Sequence, residues 1–289
     1  MTVNWRHCLA AVCLLAFVAA PADAQSRRRP PSKSYAPIGV PDQAEGARIL
    51  DASRQIGFGA SYYLEFELRV MPRRGAETRH PGRWLGLMSD HGPWTRIEVL
   101  PEKAQPEIWL VRGGSESEVW RSAEGGRFSR VDDTAAVIAE SQVSAVDLQT
   151  PFLQWTAFTY EGMLRFRGRP THVFLLYPPD HEADRYPGVG GVRAYVDTEY
   201  SALSQVEWVD PDGAALKTIT AGSVRKVPGT DRWIVTTLDV RDEQTRDKTR
   251  LTIRSAALDL PLARSIFDPG AEAAPVNLDL PKGALKRFE

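Results

Sequence analysis

The 289 residues carry 36 Lys and Arg against 37 Asp and Glu, a formal charge of -1, so there is no broad basic field and nucleic acid is a poor match as partner. Hydrophobic residues make up 43%, enough to fill the core of one large domain or two small ones. Both cysteines, Cys8 and Cys13, lie near the N-terminus.

Arg6 closes a short polar lead, and Cys8 to Ala20 form an apolar run that ends at Pro21 and an Ala22-Asp23-Ala24 triplet. This is the pattern of a secretory signal peptide cleaved after Ala24. A run of thirteen residues rises only about 20 Å as a helix, against roughly 30 Å of hydrocarbon to be crossed. Cys13 follows Val12 inside the run, which does not suit a lipid-anchor site, and Arg27 to Arg29 come after the run, unlike a twin-arginine signal. The expectation is an exported, periplasmic chain whose mature part holds neither cysteine and is stabilised by burial alone.

Residues 25–41, basic and proline-rich, read as a solvated extended tail whose arginines could meet anionic headgroups. The folded domain is expected over 42–289. Asp42 to Ile56 reads as one helix, with Asp42 as N-cap and Ala44, Ala47, Ile49 and Leu50 on an apolar stripe.

Strict alternation then begins. Leu64, Phe66, Leu68 and Val70 share one face and Glu65, Glu67 and Arg69 the other, as in a half-buried antiparallel strand. Further strands are expected at 84–89, 95–100 and 107–112, separated by Asp90 to Pro93, Pro101 to Pro106 and Gly113-Gly114. A helix is expected over Asp132 to Ala139, followed by a mixed segment to Trp155. Strands then follow at 159–166, 172–177, 192–197, 203–209, 214–225, 232–241 and 249–258, with hairpin turns at Asp210 to Gly213 and Pro228 to Asp231. A twelve-residue strand over 214–225 would span roughly 40 Å, which suits a curved sheet or open barrel.

This ordering resembles the LolA/LolB-like lipoprotein carriers and, more closely, the family of outer membrane lipoprotein-sorting proteins. The pieces that carry it are the export signal and first helix, Tyr63 to Leu68, Ser144-Ala145-Val146-Asp147-Leu148, Gly168-Arg169-Pro170 and Val196-Asp197. Val206 to Gly213, Asp231-Arg232-Trp233, Lys248 to Leu251 and Ser265-Ile266-Phe267-Asp268-Pro269 complete it. The resemblance implies a mainly β (α+β) domain: a single half-open antiparallel β-barrel, here of about ten or eleven strands, with helices covering the concave face. It also implies a hydrophobic hollow for lipid or lipoprotein acyl chains, with inner- or outer-membrane transport components as partners. An arginine that ties lid to barrel in such carriers has Arg69 as its candidate by position. The absence of an anchor cysteine beyond the signal favours a carrier over a receptor.

Alternation gives Leu64, Phe66, Leu68, Ile97, Val99, Val206, Trp208, Leu251 and Ile253 as candidate cavity residues, with plain core packing as the competing reading. Asp210 to Gly213 fails the calcium-loop pattern because Ala221 stands at its twelfth position. Asp180 to Asp184 reads as a solvated loop without paired histidines, so no metal and no cofactor is expected. Nucleophile elbow, P-loop and dinucleotide fingerprint are all missing, and His80, His91, His172 and His181 stand apart, so a binding protein is expected and not an enzyme. The alternative function is an envelope sensor or interaction protein built on the same half-barrel without lipid transport. An export component for another hydrophobic molecule is a third possibility, since apolar linings discriminate weakly between cargoes.

Overall fold

Strands with one apolar face must lay that face against something, and a long antiparallel series does so by curling over its own hollow. In the computed structural model, residues 38–54, 61–90, 92–113, 117–122, 126–133, 135–199 and 201–288 are described. The expected signal sequence, most of the expected basic tail, positions 55 and 56 of the expected helix, and His91 lie outside these residues.

In chain order the strands are β1 (Ser61–Met71), β2 (Thr78–Ser89), β3 (Gly92–Val99), β4 (Glu107–Arg112), β5 (Glu118–Ser122), β6 (Gly126–Arg127), β7 (Ser129–Val131), β8 (Phe158–Phe166) and β9 (Arg169–Leu176). They continue as β10 (Gly191–Asp197), β11 (Leu203–Val209), β12 (Ala215–Ala221), β13 (Val224–Lys226), β14 (Trp233–Val235), β15 (Thr237–Asp242), β16 (Lys248–Leu258), β17 (Glu272–Ala273) and β18 (Lys286–Arg287). One 14-stranded sheet runs β7-β5-β4-β3-β2-β1-β16-β15-β12-β11-β10-β9-β8, with β18 on the flank of β16. The sheet is larger than the ten or eleven strands expected, because short β5, β7 and β18 show no usable alternation. Its two end strands do not pair with each other, so the barrel stays open.

The first helix forms where expected, over Gln43–Arg54, and Asp42 Oδ1 accepts from the Ala44 and Glu45 amides at 2.9 and 3.3 Å. The helix expected at 132–139 does not form. Its apolar spacing is helical, but Ala139 and Glu140 have φ of 51° and 54°, and helix appears instead at Ala145–Gln149. The long strands expected at 214–225 and 232–241 each break, at Gly222-Ser223 and at Thr236. Gly222 lies against Thr237, and beyond it β13 and β14 leave the main sheet as a separate two-stranded arm.

Pro81 sits inside β2, where a proline is unusual. Its carbonyl accepts from Leu100 N at 2.8 Å, so the side of the residue that lacks N–H faces the place where β3 has just ended. Opposite the adjacent Gly82 stands Phe66, whose ring crosses the glycine so closely that a Cβ there would lie 2.3 Å from Cζ and 2.6 Å from the Glu98 carbonyl oxygen. Gly82→Ala is expected to cost about 1–3 kcal/mol of stability in urea unfolding, because the backbone oxygen cannot move aside as a side chain can; a cost below the scatter of the method would contradict this packing.

The outer face of β1, β2, β3 and β16 is covered by the C-terminal segment, with Phe267 and Leu260 packing on Tyr63, Leu85 and Ala257. Arg96 fastens that segment: it pairs with Glu98 at 2.7 Å and donates to the Ile266 and Ala274 carbonyls, while Glu98 accepts from Val276 N. The expected alternation is therefore real, but both faces of these strands are apolar-covered. Among the described residues no helix is long and apolar enough to cross a membrane.

Candidate functional site

The topology places the site. The chain builds outward from β1 to β7 at one end of the sheet and resumes with β8 at the other end. The connection, residues 132–157, therefore has to cross between the two open edges, and it does so through the hollow. Ile138, Val143, Val146, Leu148, Phe152 and Trp155 from this crossing belong to the same buried cluster as the inner strand residues.

Local sequence explains its shape. Ser144 caps the short helix: its Oγ accepts from Asp147 N at 3.2 Å while Asp147 Oδ2 accepts from Ser144 N at 2.8 Å, a reciprocal capping box. Thr150, at φ 53°, ends the helix and Pro151 starts a 3-10 turn, Pro151–Gln154.

Three sets of hydrogen bonds hold the crossing in place. Arg54 of the first helix donates from Nε to the Leu153 carbonyl at 2.6 Å and from Nη2 to the Trp155 carbonyl at 2.7 Å. Gln149 donates to the Pro93 and Val111 carbonyls at 3.2 Å each. Asp147, almost fully buried, accepts from Trp208 Nε1 at 3.0 Å and pairs with Lys217 Nζ at 2.6 Å. Lys217 also stands 5.5 Å from the Trp208 ring. Trp208 in turn meets Phe152, Trp155 and Tyr186 at ring separations of 6.0, 6.3 and 5.7 Å. Burial pushes the Tyr186 hydroxyl well above its ordinary range.

On either side of this latch there is unfilled space. One cavity, about 240 Å³, lies under the crossing between Trp84, Leu148, Leu153, Val206, Ile219 and Leu238, and reaches the rim at Ala202, Ala221 and Val235. Its lining is chiefly apolar, with Ser53, Asp147 and Gln205 at the margins. A second, about 180 Å³, lies between Tyr186, Pro187, Val189, Trp208, Leu216 and Lys217.

All nine residues named from alternation lie buried in the inner cluster. Leu64, Phe66, Leu68, Ile97, Val99, Leu251 and Ile253 pack there as core, whereas Val206 borders the larger cavity and Trp208 the smaller. Arg69 does not tie a lid. It falls on the opposite face from Leu68 and Val70 and pairs with Glu77 at 2.6 Å on the exterior. The tie to the crossing is instead Lys217 with Asp147. Two signals mark it in sequence: Ser144-x-x-Asp147 as a capping box, and a lysine at an inner position of β12, between Ala215 and Ile219.

Asp210 to Gly213 is a hairpin turn, in which Asp210 Oδ1 accepts from Asp212 N and Ala214 N. Asp180 to Asp184 falls in a 3-10 turn, Asp180–Arg185, with Glu182 buried beside Arg185 at 3.4 Å. Among the described residues no cluster of His, Cys, Asp or Glu could hold a metal ion.

At the far edge, Gln43 exchanges two hydrogen bonds of 2.8 Å with the Tyr160 backbone, docking the first helix on β8. His172 Nδ1 lies 2.8 Å from Tyr160 Oη, and burial lowers the imidazole pKa below its usual 6.5. The unfolded chain then binds the proton more readily than the native one, so this residue withdraws stability as pH falls through 6.5 towards the lowered value. His172→Gln is expected to flatten the slope of Tm between pH 7.5 and 5.5; an unchanged slope would count against it.

A family model described as "Uncharacterized protein" matches residues 126–271, half of the chain. The chain belongs to that family. Solved structures share its fold. An outer membrane lipoprotein-sorting protein domain from Vibrio parahaemolyticus superposes with a TM-score of 0.68 at 17% identity, covering 78% of this chain and 97% of that one. A DUF1329-family protein from Desulfovibrio piger gives 0.68 at 14% identity, with 78% and 96% covered. A LolA-superfamily protein from Nitrosomonas europaea gives 0.59 at 17%, with 80% and 98% covered. No curated protein matches the sequence significantly. The mainly antiparallel, open architecture read from the sequence is present, and the crossing segment with its Asp147 latch occupies the hollow.

Proposed function

We propose that the protein is an exported periplasmic carrier that binds acyl chains, of a lipoprotein or of another lipid, in the hollow of its open sheet and performs no covalent chemistry on them. The observation that carries this reading is the apolar cavity of about 240 Å³ between the sheet and a crossing segment held by a few polar ties. Its lining stabilises hydrocarbon at about 25 cal/mol per Å² removed from water. The LolA-type fold and the secretory pattern at the N-terminus support the same reading.

The cavity is smaller than the roughly 300–1,000 Å³ usual for ligand pockets, so it takes part of an acyl chain, and a longer one enters only as the crossing gives way. Fluorescent fatty-acid titration tests this. Saturable uptake of one probe per chain, displaced by unlabelled fatty acid, is expected; linear or absent uptake would leave the sheet as a sensor or interaction platform instead.

A further inference from the structure

Single exposed apolar side chains are ordinary, but a contiguous apolar track marks an interaction surface, and the β13–β14 arm places two large exposed apolar side chains together. Trp233 is 59% exposed and Val224 48%. They share a face. Val224 pairs with Val235 and Lys226 with Trp233, and alternation along each short strand puts all four side chains on the same side of the arm. Val235 lines the larger cavity, so this apolar track continues from the cavity rim outward along the arm. Behind it, Ile234 and Val227 are buried in the inner cluster, which fixes the arm to the body.

The charges around the track are mainly positive. Lys226 lies on the track face, Arg232 stands next to Trp233, Arg225 projects from the opposite face beside Ile234, and Lys286 of the C-terminal strand comes against the turn at Gly229. Asp231 and Asp259, exposed themselves, pair with Lys226 at 2.8 Å and Arg232 at 3.0 Å, which leaves the patch net basic. An indole at the margin of an apolar track, ringed by Lys and Arg, is the composition that suits the boundary between headgroups and acyl chains.

We propose that the β13–β14 arm docks the protein peripherally on an anionic bilayer surface, with Trp233 and Val224 seated at headgroup depth and the cavity rim held against the lipid. Docking of this kind goes beyond the carrier reading, since a surface can be bound with the hollow empty. It also assigns a direction to exchange, because Ala221, Val235 and Leu238 at the base of the arm are the side of the cavity that faces the membrane.

The test is co-sedimentation of the folded protein with vesicles of phosphatidylglycerol mixed with phosphatidylcholine, against vesicles of phosphatidylcholine alone. Binding to the anionic vesicles that weakens with salt is expected. Trp233→Ser should lower the partition constant about tenfold, as loss of a buried aromatic implies. Lys226→Glu with Lys286→Glu should lower it by roughly fivefold or more for each charge. Met88→Ser, which removes another exposed apolar side chain at 56% exposure, serves as the control and should change nothing.

Absent vesicle binding overturns the proposal, as does binding that Trp233→Ser and Met88→Ser reduce alike. Fatty-acid uptake, measured on the same variants, separates the two readings. Docking lost with uptake intact in Trp233→Ser is the expected pattern, while uptake without any vesicle binding in the unaltered protein rejects docking and leaves the carrier standing.

Discussion

Asp147→Ala lowers the unfolding free energy by about 3–5 kcal/mol, the usual cost of removing one partner from a buried ion pair. The substitution strips the Lys217 ammonium of its counter-charge, leaves Trp208 Nε1 without its acceptor and opens the capping box at Ser144. For a domain of this size the shift in Tm is on the order of 10 °C or more. Lys217→Met is expected to be milder, because Asp147 keeps its bonds to Trp208 and to the Ser144 amide and the methionine stem can still cover the indole. Thermal unfolding of the two single variants and the double variant separates these contributions. If Asp147→Ala cost less than about 1 kcal/mol, a value typical of exposed pairs, the latch would not be what holds the crossing in the hollow.

Ala221→Trp abolishes or weakens acyl-probe uptake at least tenfold, about 1.4 kcal/mol or more. Ala221 follows Ile219 on the inner face of β12 and borders the cavity near its rim, so an indole built there occupies the space that a chain would take. The backbone there is an ordinary strand, and filling a void adds apolar contact, so the fold should tolerate the change with little loss of Tm. Retained uptake in a folded Ala221→Trp protein would place the binding elsewhere.

What was legible in the sequence follows from how local each signal is. The period-two pattern at Leu64, Phe66, Leu68 and Val70 needs only neighbouring residues, and so does Asp42 as an N-cap. Both were readable. Which inner residues border empty space was not, because Leu64 and Val206 carry the same alternation while only Val206 has a gap in front of it. That gap depends on where the crossing settles.

The crossing was also the hardest element to place. Asp132 to Ala139 has helical apolar spacing, yet its residues are used one by one: Ala139 N donates to Glu107 and Ile138 enters the core, while just beyond the segment Gln142 meets Thr249. Long-range partners override a weak local preference there. The informative mark was the charge that breaks an apolar face. Lys217 among Ala215, Ile219 and Ala221 demands a buried partner, and Asp147 in a capping box offers one. Similarly, Arg69 could be excluded from the hollow by the alternation that places Leu68 and Val70 inside.

The central claim is that acyl chains occupy the hollow under the crossing. Native mass spectrometry of the gently purified protein tests it most directly. The carrier account predicts a population heavier by one lipid, lost in Ala221→Trp and exchangeable for added fatty acid. A single mass equal to the bare chain, together with no heavier species when fatty acid is added, would contradict it.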